Sequence, residues 1–556
     1  MKKLINDPGD VVPEMLEGLV RLRPDLALMP DHMVVLRHGP TTNVAVISGG
    51  GAGHEPAHAG YVGPGLLRAA VTGDVFTSPG VDAVLAAIRA AAGPPGVLLI
   101  VKNYTGDRLN FGLAAELARA DGIEVELVVV ADDVALSSST ETAGRRGLAG
   151  TVLVHKIAGA AAASGADLAT VAAEAREAAA SLGSIGVGLS PCTVPAAGTP
   201  GFTLAENEIE LGLGIHGEPG IRRMNMATAR VLARDMLARI AADLELVRGD
   251  RVALLVNDLG ATPTSELLIV AREALAHLEA TGITVARAWC GTFLTALDMQ
   301  GCSLSLMRVD DARLARLDAP ADAQAWPGPG ATPGLARLRA SENGAAPLAT
   351  PGHDPAVEAA ILAVTDALLA AEPHLTAMDQ AVGDGDLGIS LARGARAIED
   401  DLPQYDLADP SAVLAAMAGT IRRALGGTSG PLYAIFLLRA GAALTSNDLP
   451  GWARAFEAGW RGIAELGQSA PGDRTMLDAL VPASAAFTAH VADGPDAALA
   501  AAAAAAAEGT RSTIGMTPRR GRSSYLAGRV GDHPDPGAEA VSLWLAALRD
   551  HFASPA

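Results

Sequence analysis

The chain has 556 residues, 49% of them hydrophobic and 19% charged, with a formal net charge of −20. That length allows roughly three or four compact units with substantial cores, and the acidic balance argues against nucleic acid and anionic lipid as partners. The three cysteines, Cys192, Cys290 and Cys302, form no Cys-x-x-Cys pair, so neither a disulfide framework nor a thiolate zinc site is expected and a cytoplasmic location fits best.

The start, Met1-Lys-Lys-Leu-Ile-Asn-Asp-Pro8, reaches Asp7 and Pro8 before any long apolar core, so no signal peptide is expected. Apolar runs such as residues 97–101 are far too short to span a bilayer, and a soluble protein follows. Through about residue 310, β-rich runs at 44–48, 97–101, 125–130, 152–154 and 252–256 alternate with helical stretches. Continuous apolar strands separated by helices predict α/β layers with sheets covered on both faces. The first run enters Gly49-Gly-Gly-Ala-Gly-His-Glu-Pro-Ala-His58, a flexible turn suited to wrapping backbone N–H groups around a small polar ligand. A dinucleotide reading is weak, because His54 stands where the third glycine of Gly-x-Gly-x-x-Gly belongs. The second run leads to Lys102-Asn-Tyr-Thr-Gly-Asp107, which presents an amine and a carboxylate just past a strand end, where α/β proteins usually bind ligands. Leu213-Gly-Ile-His-Gly-Glu-Pro-Gly220 sets His216 among glycines. A histidine in that setting is accessible as nucleophile, base or metal ligand, so His54 and His216 are the functional candidates, whereas His38, His58 and His155 read as structural.

From Trp326 to about Gly352 the pattern dissolves into Pro and Gly, as in an interdomain linker. Beyond it, residues 356–371, 411–425, 473–480 and 497–508 are dominated by Ala and Leu, which predicts an all-helical second half. The alanine tract reads as a bundle helix, since alanine favours helix and permits close packing. Within this half, Asp379, Asp384 and Asp386 crowd into Met378-Asp-Gln-Ala-Val-Gly-Asp-Gly-Asp386. Neighbouring carboxylates repel unless a cation lies among them, and hard oxygen ligands suit magnesium or calcium. The spacing does not match an EF-hand loop, so magnesium carrying a phosphate compound is preferred, with a solvated turn as the alternative. Gly383 and Gly385 let the backbone turn sharply there. None of the four lysines, at positions 2, 3, 102 and 156, follows a glycine, and no His-Arg-Asp occurs, so neither a Walker A loop nor a protein-kinase catalytic loop is present. Leu425-Gly-Gly-Thr-Ser-Gly-Pro431, Gly472-Asp-Arg-Thr-Met-Leu-Asp478 and Gly521-Arg-Ser-Ser-Tyr-Leu526 supply hydroxyls, backbone donors and arginines able to hold phosphates without lysine. Each alone is equally readable as a helix cap or turn.

Taken in order, these segments resemble the dihydroxyacetone kinase family, in its single-chain ATP-dependent form that fuses a substrate-binding half to a nucleotide-binding half. Lys2-Lys-Leu-Ile-Asn-Asp7, Ser48-Gly-Gly-Gly-Ala-Gly-His-Glu-Pro56, Phe76-Thr-Ser-Pro79, residues 102–107, Thr142-Ala-Gly-Arg-Arg-Gly147, Cys192-Thr-Val-Pro195 and residues 212–220 are similar to the family's substrate domain. Residues 383–386, Gly426-Gly-Thr-Ser-Gly430, residues 472–480 and 521–526, and His533-Pro-Asp-Pro-Gly537 are similar to its nucleotide domain. Leu387 departs from the pattern, since relatives commonly carry His, Thr or Cys there.

The resemblance implies a two-lobed α/β substrate domain at 7–326, a Pro/Gly/Ala-rich linker at 327–352 and an eight-helix barrel at 353–552 that binds ATP and Mg2+. It implies that His216 adds to the ketone carbon as a hemiaminal, and that Gly51, Ala52, Gly53, His54, Lys102 and Asp107 bind substrate, with His54 and Asp107 as acid/base candidates. It further implies that Asp379, Asp384 and Asp386 hold the metal. Asp384, Gly385, Asp386, Leu387, Thr428, Ser429, Gly472, Met476, Arg522, Asp535, Pro536 and Gly537 would line the ATP site, and a homodimer is expected. The implied reaction is phosphorylation of dihydroxyacetone. Alternatives are another short ketose or aldose, such as erythrulose or glyceraldehyde, or a flavin-splitting cyclase activity. A phosphorelay component and a carbonyl-binding regulator are less favoured, the first by the fusion of both halves and the second by the three aspartates.

Overall fold

The computed structural model describes residues 2–136, 144–336, 351–520, 524 and 532–553. Two compact units divide the chain, Met1–Leu338 and Arg339–Ala556. The expected linker residues 337–350, Thr142 and Ala143, and most of the 521–526 segment including Arg522 lie outside the described residues.

The first unit is α/β and holds two mixed six-stranded sheets. In chain order the strands of the first sheet are β1 (Leu26–Met29), β2 (Val34–Arg37), β3 (Ala45–Ala52), β4 (Ala69–Val75), β5 (Val97–Lys102) and β6 (Val125–Val130). They lie in the order β1-β2-β4-β3-β5-β6, with β4, β3, β5 and β6 parallel. The central strands β3 and β5 are buried along their whole length, which is why they read as unbroken apolar runs rather than alternating ones. Helices Val81–Ala91 and Thr105–Ala120 bury one face, with Ile88, Ala91, Phe111 and Ala118 among the core residues. The second sheet contains β7 (Leu182–Gly188), β8 (Glu208–Leu211), β9 (Arg222–Asn225), β10 (Arg251–Asp258), β11 (Thr284–Gly291) and β12 (Gly301–Arg308), in the order β11-β10-β12-β7-β8-β9. Only β10 and β11 pair in parallel.

Two local expectations are corrected. Residues 152–154 are not a strand but the first turn of helix Thr151–Ala163, 12 of whose 13 residues are buried. A helix buried on every side has little 3.6-residue pattern to betray it, so its short β-branched run reads as strand. The glycine run 49–52 is likewise not a turn: it continues β3, and the chain turns only at Gly53, where φ is +94°. Glycine is required inside the strand because a Cβ at Gly49 would stand 2.3 Å from the Val71 carbonyl oxygen, and one at Gly51 2.6 Å from the Thr77 nitrogen. The chain after Trp326 also stays on this unit for a few residues. Trp326 packs against Trp289, whose Nε1 donates to the Gly328 carbonyl, and Ala331 bridges to Ala288.

The second unit is all-helical in its described residues. Helices Pro355–Ala370, Leu387–Asp401, Pro410–Ala424, Ser429–Ala443, Leu449–Gly467, Leu477–Ala489, Pro495–Ser512 and Pro536–Ala553 each pack on the next, and the last packs on the first, closing a ring of eight. A ninth segment, Glu372–Val382, lies between the first two in sequence and packs on Leu387–Asp401 and Pro536–Ala553. The short connections from Leu387–Asp401 through Pro495–Ser512 make those neighbours antiparallel, and Gly537 at the start of the last helix lies against Met476. The loops before Leu387, Ser429, Leu477 and Pro536 are alternate connections, so they gather at one end of the ring. Asp-Pro pairs set several starts: Asp354 and Asp409 accept from the N–H groups of the first turn, and Pro355 and Pro410 occupy a position whose N–H would go unused. The helix expected from residue 473 begins only at Leu477, because Asp478 folds back to accept from the Gly472 and Thr475 N–H groups and holds 472–476 as a turn.

Among the described residues no helix is long and apolar enough to cross a membrane. The alanine tract packs as a helix with Ala498, Ala502, Ala503 and Ala506 buried, and a Cβ at Gly509 would stand 2.1 Å from the Asp478 carbonyl oxygen. Ala502→Leu should therefore overpack the barrel and cost about 1–3 kcal/mol. Ala504→Leu, on the exposed face, should be within about 0.5 kcal/mol of neutral. Thermal or urea melting of the two variants checks the difference.

Candidate functional site

The strand ends of the first sheet build one cluster. Past β3, the turn at Gly53 brings His54 into the interior, where it is fully buried, contrary to the accessibility expected from its glycine neighbours. Its Nδ1 lies 2.8 Å from the Thr295 carbonyl oxygen and its Nε2 lies 3.0 Å from Nε2 of His216. Phe76 stacks on the His54 ring at 5.1 Å between centroids. The His216 ring meets Phe76 and Tyr104 edge-on at 5.1 and 4.7 Å. On its other side, His216 Nδ1 lies 2.8 Å from Glu218 Oε1, and the His216 N–H donates to Glu218 Oε2 at 3.0 Å. The His216 side chain keeps 22% of its exposure, so it is the open member of the pair.

Past β5, Lys102 is buried at the strand end and Asp107 in the first turn of helix Thr105–Ala120. Both face the glycine strand: an added Cβ at Gly50 would lie 3.1 Å from Lys102 Nζ and 3.6 Å from Asp107 Oδ2. Asp107 Oδ1 is buried with no hydrogen-bond partner among the described residues. A bare carboxylate oxygen in that position is costly and is suited to a hydroxyl donor.

Burial pushes the His54 pKa well below its usual value, and the charges of Lys102 and His216 push the same way. Burial also lowers Lys102, opposed by Asp107, Glu218, Asp132 and Glu55. Burial works to raise the Glu218 carboxyl, but its hydrogen bond to His216 and the charge there hold it at about 2.

The loop carrying His216 is tied down from beneath. Arg146 Nε donates to Asp133 at 2.7 Å and its Nη2 donates to the Gly212 carbonyl at 2.8 Å, with the pair buried. Asp132 accepts from the N–H groups of Leu148 and Gly150 and from Ser184 Oγ. Burial raises Asp132 to about 6 against those hydrogen bonds. Gly214 has no room for a side chain, since its Cβ would fall 2.0 Å from Glu218 Oε2.

In the second unit, Asp379, Asp384 and Asp386 each offer a carboxylate oxygen, and these atoms lie within 4.8 Å of one another. Asp384 and Asp386 are exposed and Asp379 is half-buried. Asp379 Oδ2 also accepts from the N–H groups of Asp386 and Leu387 at 2.9 and 3.2 Å, which folds the loop around it. Gly385 has φ +77°, and a Cβ there would meet Gln380 at 2.4 Å. Three carboxylate oxygens so placed fit one hard divalent cation. Leu387 opens helix Leu387–Asp401 with its side chain packed toward the barrel core.

Thr428 and Ser429 open helix Ser429–Ala443, on another loop at the same end of the ring. Gly472, Met476 and residues 535–537 meet there too, the Gly537 Cβ position lying 3.6 Å from Met476 Cβ. Buried Arg474 braces this corner by donating to the carbonyls of Thr513 and His533. Asp535 caps the Ala538 N–H, and burial raises its pKa to about 6.

Sequence reasoning passed over Glu218, Thr295, Tyr104, Asp133 and Arg146 as individual residues. Glu218 stood inside a quoted motif, two residues beyond His216. Thr295 acts through its backbone carbonyl, which leaves no mark on residue identity.

A Dak1 domain family matches residues 17–325 and a DAK2 domain family matches residues 381–550. A putative 3,4-dihydroxy-2-butanone kinase of Solanum lycopersicum is 45% identical, the match covering 98% of this chain and 97% of that protein. The triokinase/FMN cyclase of Homo sapiens is 43% identical, covering 98% of each. The crystal structure of the dihydroxyacetone kinase from C. freundii in complex with AMP-PNP and Mg2+ is similar over 99% of each chain, with a TM-score of 0.64 and 36% identity.

Arg146→Ala would leave Asp133 buried without its cation and the Gly212 carbonyl without its donor. The expected loss is about 3–5 kcal/mol of stability in this unit, read by urea denaturation.

Proposed function

We propose a substrate and a mechanism from one premise: the chain belongs to the single-chain dihydroxyacetone kinase family, with Dak1 and Dak2 domains, and is an ATP-dependent phosphotransferase of that family. The acceptor is dihydroxyacetone, held as a hemiaminal on Nε2 of His216. The observation that carries this reading is the setting of His216, half-buried beside a buried second histidine and anchored at Nδ1 by a carboxylate. Addition of the ring nitrogen to a carbonyl carbon is nucleophilic chemistry that a neutral imidazole performs. Glycerol offers matching hydroxyls but no carbonyl, and a site that loses its key bond rejects such an analogue.

His54 hands a proton to the carbonyl oxygen as the nitrogen adds. Residues 51–53 supply backbone to the substrate hydroxyls, and Lys102 holds a hydroxyl from the adjacent end of the neighbouring strand β5. The unpartnered Asp107 Oδ1 supports Asp107 as the group that takes the proton from the hydroxyl to be phosphorylated. At the donor end, Asp379, Asp384 and Asp386 hold Mg2+, which when bound neutralises charge on the phosphates. Thr428 and Ser429 bind phosphate through a helix N-terminus, where backbone N–H groups are unspent. Gly472, Met476 and residues 535–537 line the rest of the nucleotide site, together with Asp384–Leu387 and Arg522. A homodimer completes the proposal.

A second reading concerns breadth. The relatives at 43–45% identity are named for 3,4-dihydroxy-2-butanone and triose phosphorylation and for a flavin cyclase activity. The hemiaminal senses only the neighbourhood of the carbonyl, so a four-carbon ketose is admitted wherever the hydroxyl pocket allows. A cyclase reaction would need the aspartates but not His216.

ATP consumption measured with dihydroxyacetone, both erythruloses, glyceraldehyde and glycerol, together with AMP release from FAD in the absence of ATP, for the wild type and His216→Ala, tests the proposal. Strong loss of ketone phosphorylation at low substrate concentration is expected for the variant, with little turnover of glycerol by the wild type. Unchanged ketone turnover in the variant or efficient glycerol phosphorylation by the wild type would sink the hemiaminal. Asp384→Asn should raise the Mg2+ concentration needed for half-maximal activity by about tenfold or more, by loss of one anionic ligand. An unaltered Mg2+ titration would remove Asp384 from the metal site.

A further inference from the structure

The hydrogen-bond pattern around the paired histidines fixes where their protons are. A carbonyl oxygen only accepts, so the contact with Thr295 requires a proton on His54 Nδ1. An ionised carboxylate also only accepts, so the contact with Glu218 Oε1 requires a proton on His216 Nδ1. A neutral imidazole has one N–H, and both rings have spent it. The two Nε2 atoms nevertheless face each other at 3.0 Å, a distance at which two bare lone pairs repel. The contact becomes a hydrogen bond when one further proton lies between them, which makes the pair a monocation.

That positive charge belongs on the ring beside Glu218. His54 is fully buried and stands near the Lys102 ammonium, both of which oppose a charge there. His216 is partly open and touches a carboxylate held ionised. Lys102 and His58 couple to His54 directly, and the charged or titratable groups around Lys102 and Tyr104 come from several elements: Glu55 after β3, Asp107 after β5, Asp132 and Asp133 after β6, and Arg146 below. None of these appears in a hydrogen bond or ion pair with the His216 ring; Glu218 does.

We infer that Glu218 is a positioning residue for covalent substrate capture: it holds the proton on His216 Nδ1 and stabilises the positive charge that this ring carries before and after the addition, so that His54 relays one proton and none is exchanged with solvent. The inference rests on the hemiaminal reading. The proton on His216 Nε2 passes to His54 Nε2, the freed lone pair forms the N–C bond, and the C=O π pair takes the proton from His54 to become the hydroxyl. The product is an N-substituted imidazolium whose Nδ1–H still faces Glu218. Total charge and proton number are the same before and after.

Glu218→Gln keeps the shape and one acceptor but removes the charge. The variant should raise KM for dihydroxyacetone by about tenfold to a hundredfold, the worth of a charge-assisted hydrogen bond, with kcat within about threefold, since capture precedes phosphoryl transfer. Its KM should climb further as pH rises, because no carboxylate is left facing His216 Nδ1 to hold the proton that the two rings share, while the wild-type KM stays flatter. Asp132, at about 6, is common to both proteins and drops out of the comparison. The measurement uses the full chain with ATP and Mg2+, alongside thermal melting and the 13C NMR signal of bound dihydroxyacetone labelled at its carbonyl carbon. A slow-exchange tetrahedral carbon weakened in the variant supports the inference. A variant with wild-type KM at every pH overturns it, as does one that loses kcat alone. His216→Ala run in parallel separates the two claims: if it too keeps the wild-type KM, the hemiaminal reading itself has failed, whereas its loss beside an unchanged Glu218→Gln discards only the role of Glu218.

Discussion

Two histidines 162 residues apart in sequence meet nitrogen to nitrogen at 3.0 Å, and most of the first unit serves to make that approach possible. His54 is held by a backbone carbonyl from the second sheet's side of the unit, His216 by a carboxylate in its own loop. Neither ring can rotate without breaking a hydrogen bond in a desolvated setting, where an unmade bond is costly. The glycines of β3 let Phe76 and its loop close over the strand, and Arg146 with Asp133 pins the start of the His216 loop. A rigid frame of this kind suits chemistry that needs a nitrogen aimed at a carbon rather than a loose polar pocket.

The second unit solves a different problem, packing its helices closely while burying Arg474, Asp478 and Asp535 at one corner. Its ring of helices is closed by small residues that let backbones approach, Gly509 and the alanine tract being the tightest case. The alternation of the ring then delivers four loops to one end. Three contiguous carboxylates at that end gain no stability from one another. Their proximity is sustained by Asp379 accepting two backbone N–H groups and by glycines that allow the tight turn.

The helices of the second half were legible because Ala and Leu dominate, although the Asp-Pro pairs that set the starts of two of them were passed over. The buried strands at 97–101 and 252–256 were equally plain. Reading failed where burial is uniform or where a side chain overrules local preference. Helix Thr151–Ala163 is buried all round and so looks like strand, and Asp478 delays a helix that composition alone would begin at 473. At the candidate site, the glycine context drew attention to His54 and His216 one at a time, yet it suggested exposure for a residue that is fully buried.

By itself the sequence determined the division into an α/β half and a helical half, the absence of lysine-based phosphate loops, and the ordered motifs that place the chain in its family. Those are properties of local composition and spacing, which survive in one dimension. Only the tertiary structure decided that His54 and His216 share a contact, that Thr295 and Glu218 dictate their tautomers, and that an oxygen of Asp107 finds no partner among the described residues. Such facts depend on which distant groups exclude water together, and hydrogen-bond direction and burial are set by neighbours in space, not by neighbours in the chain.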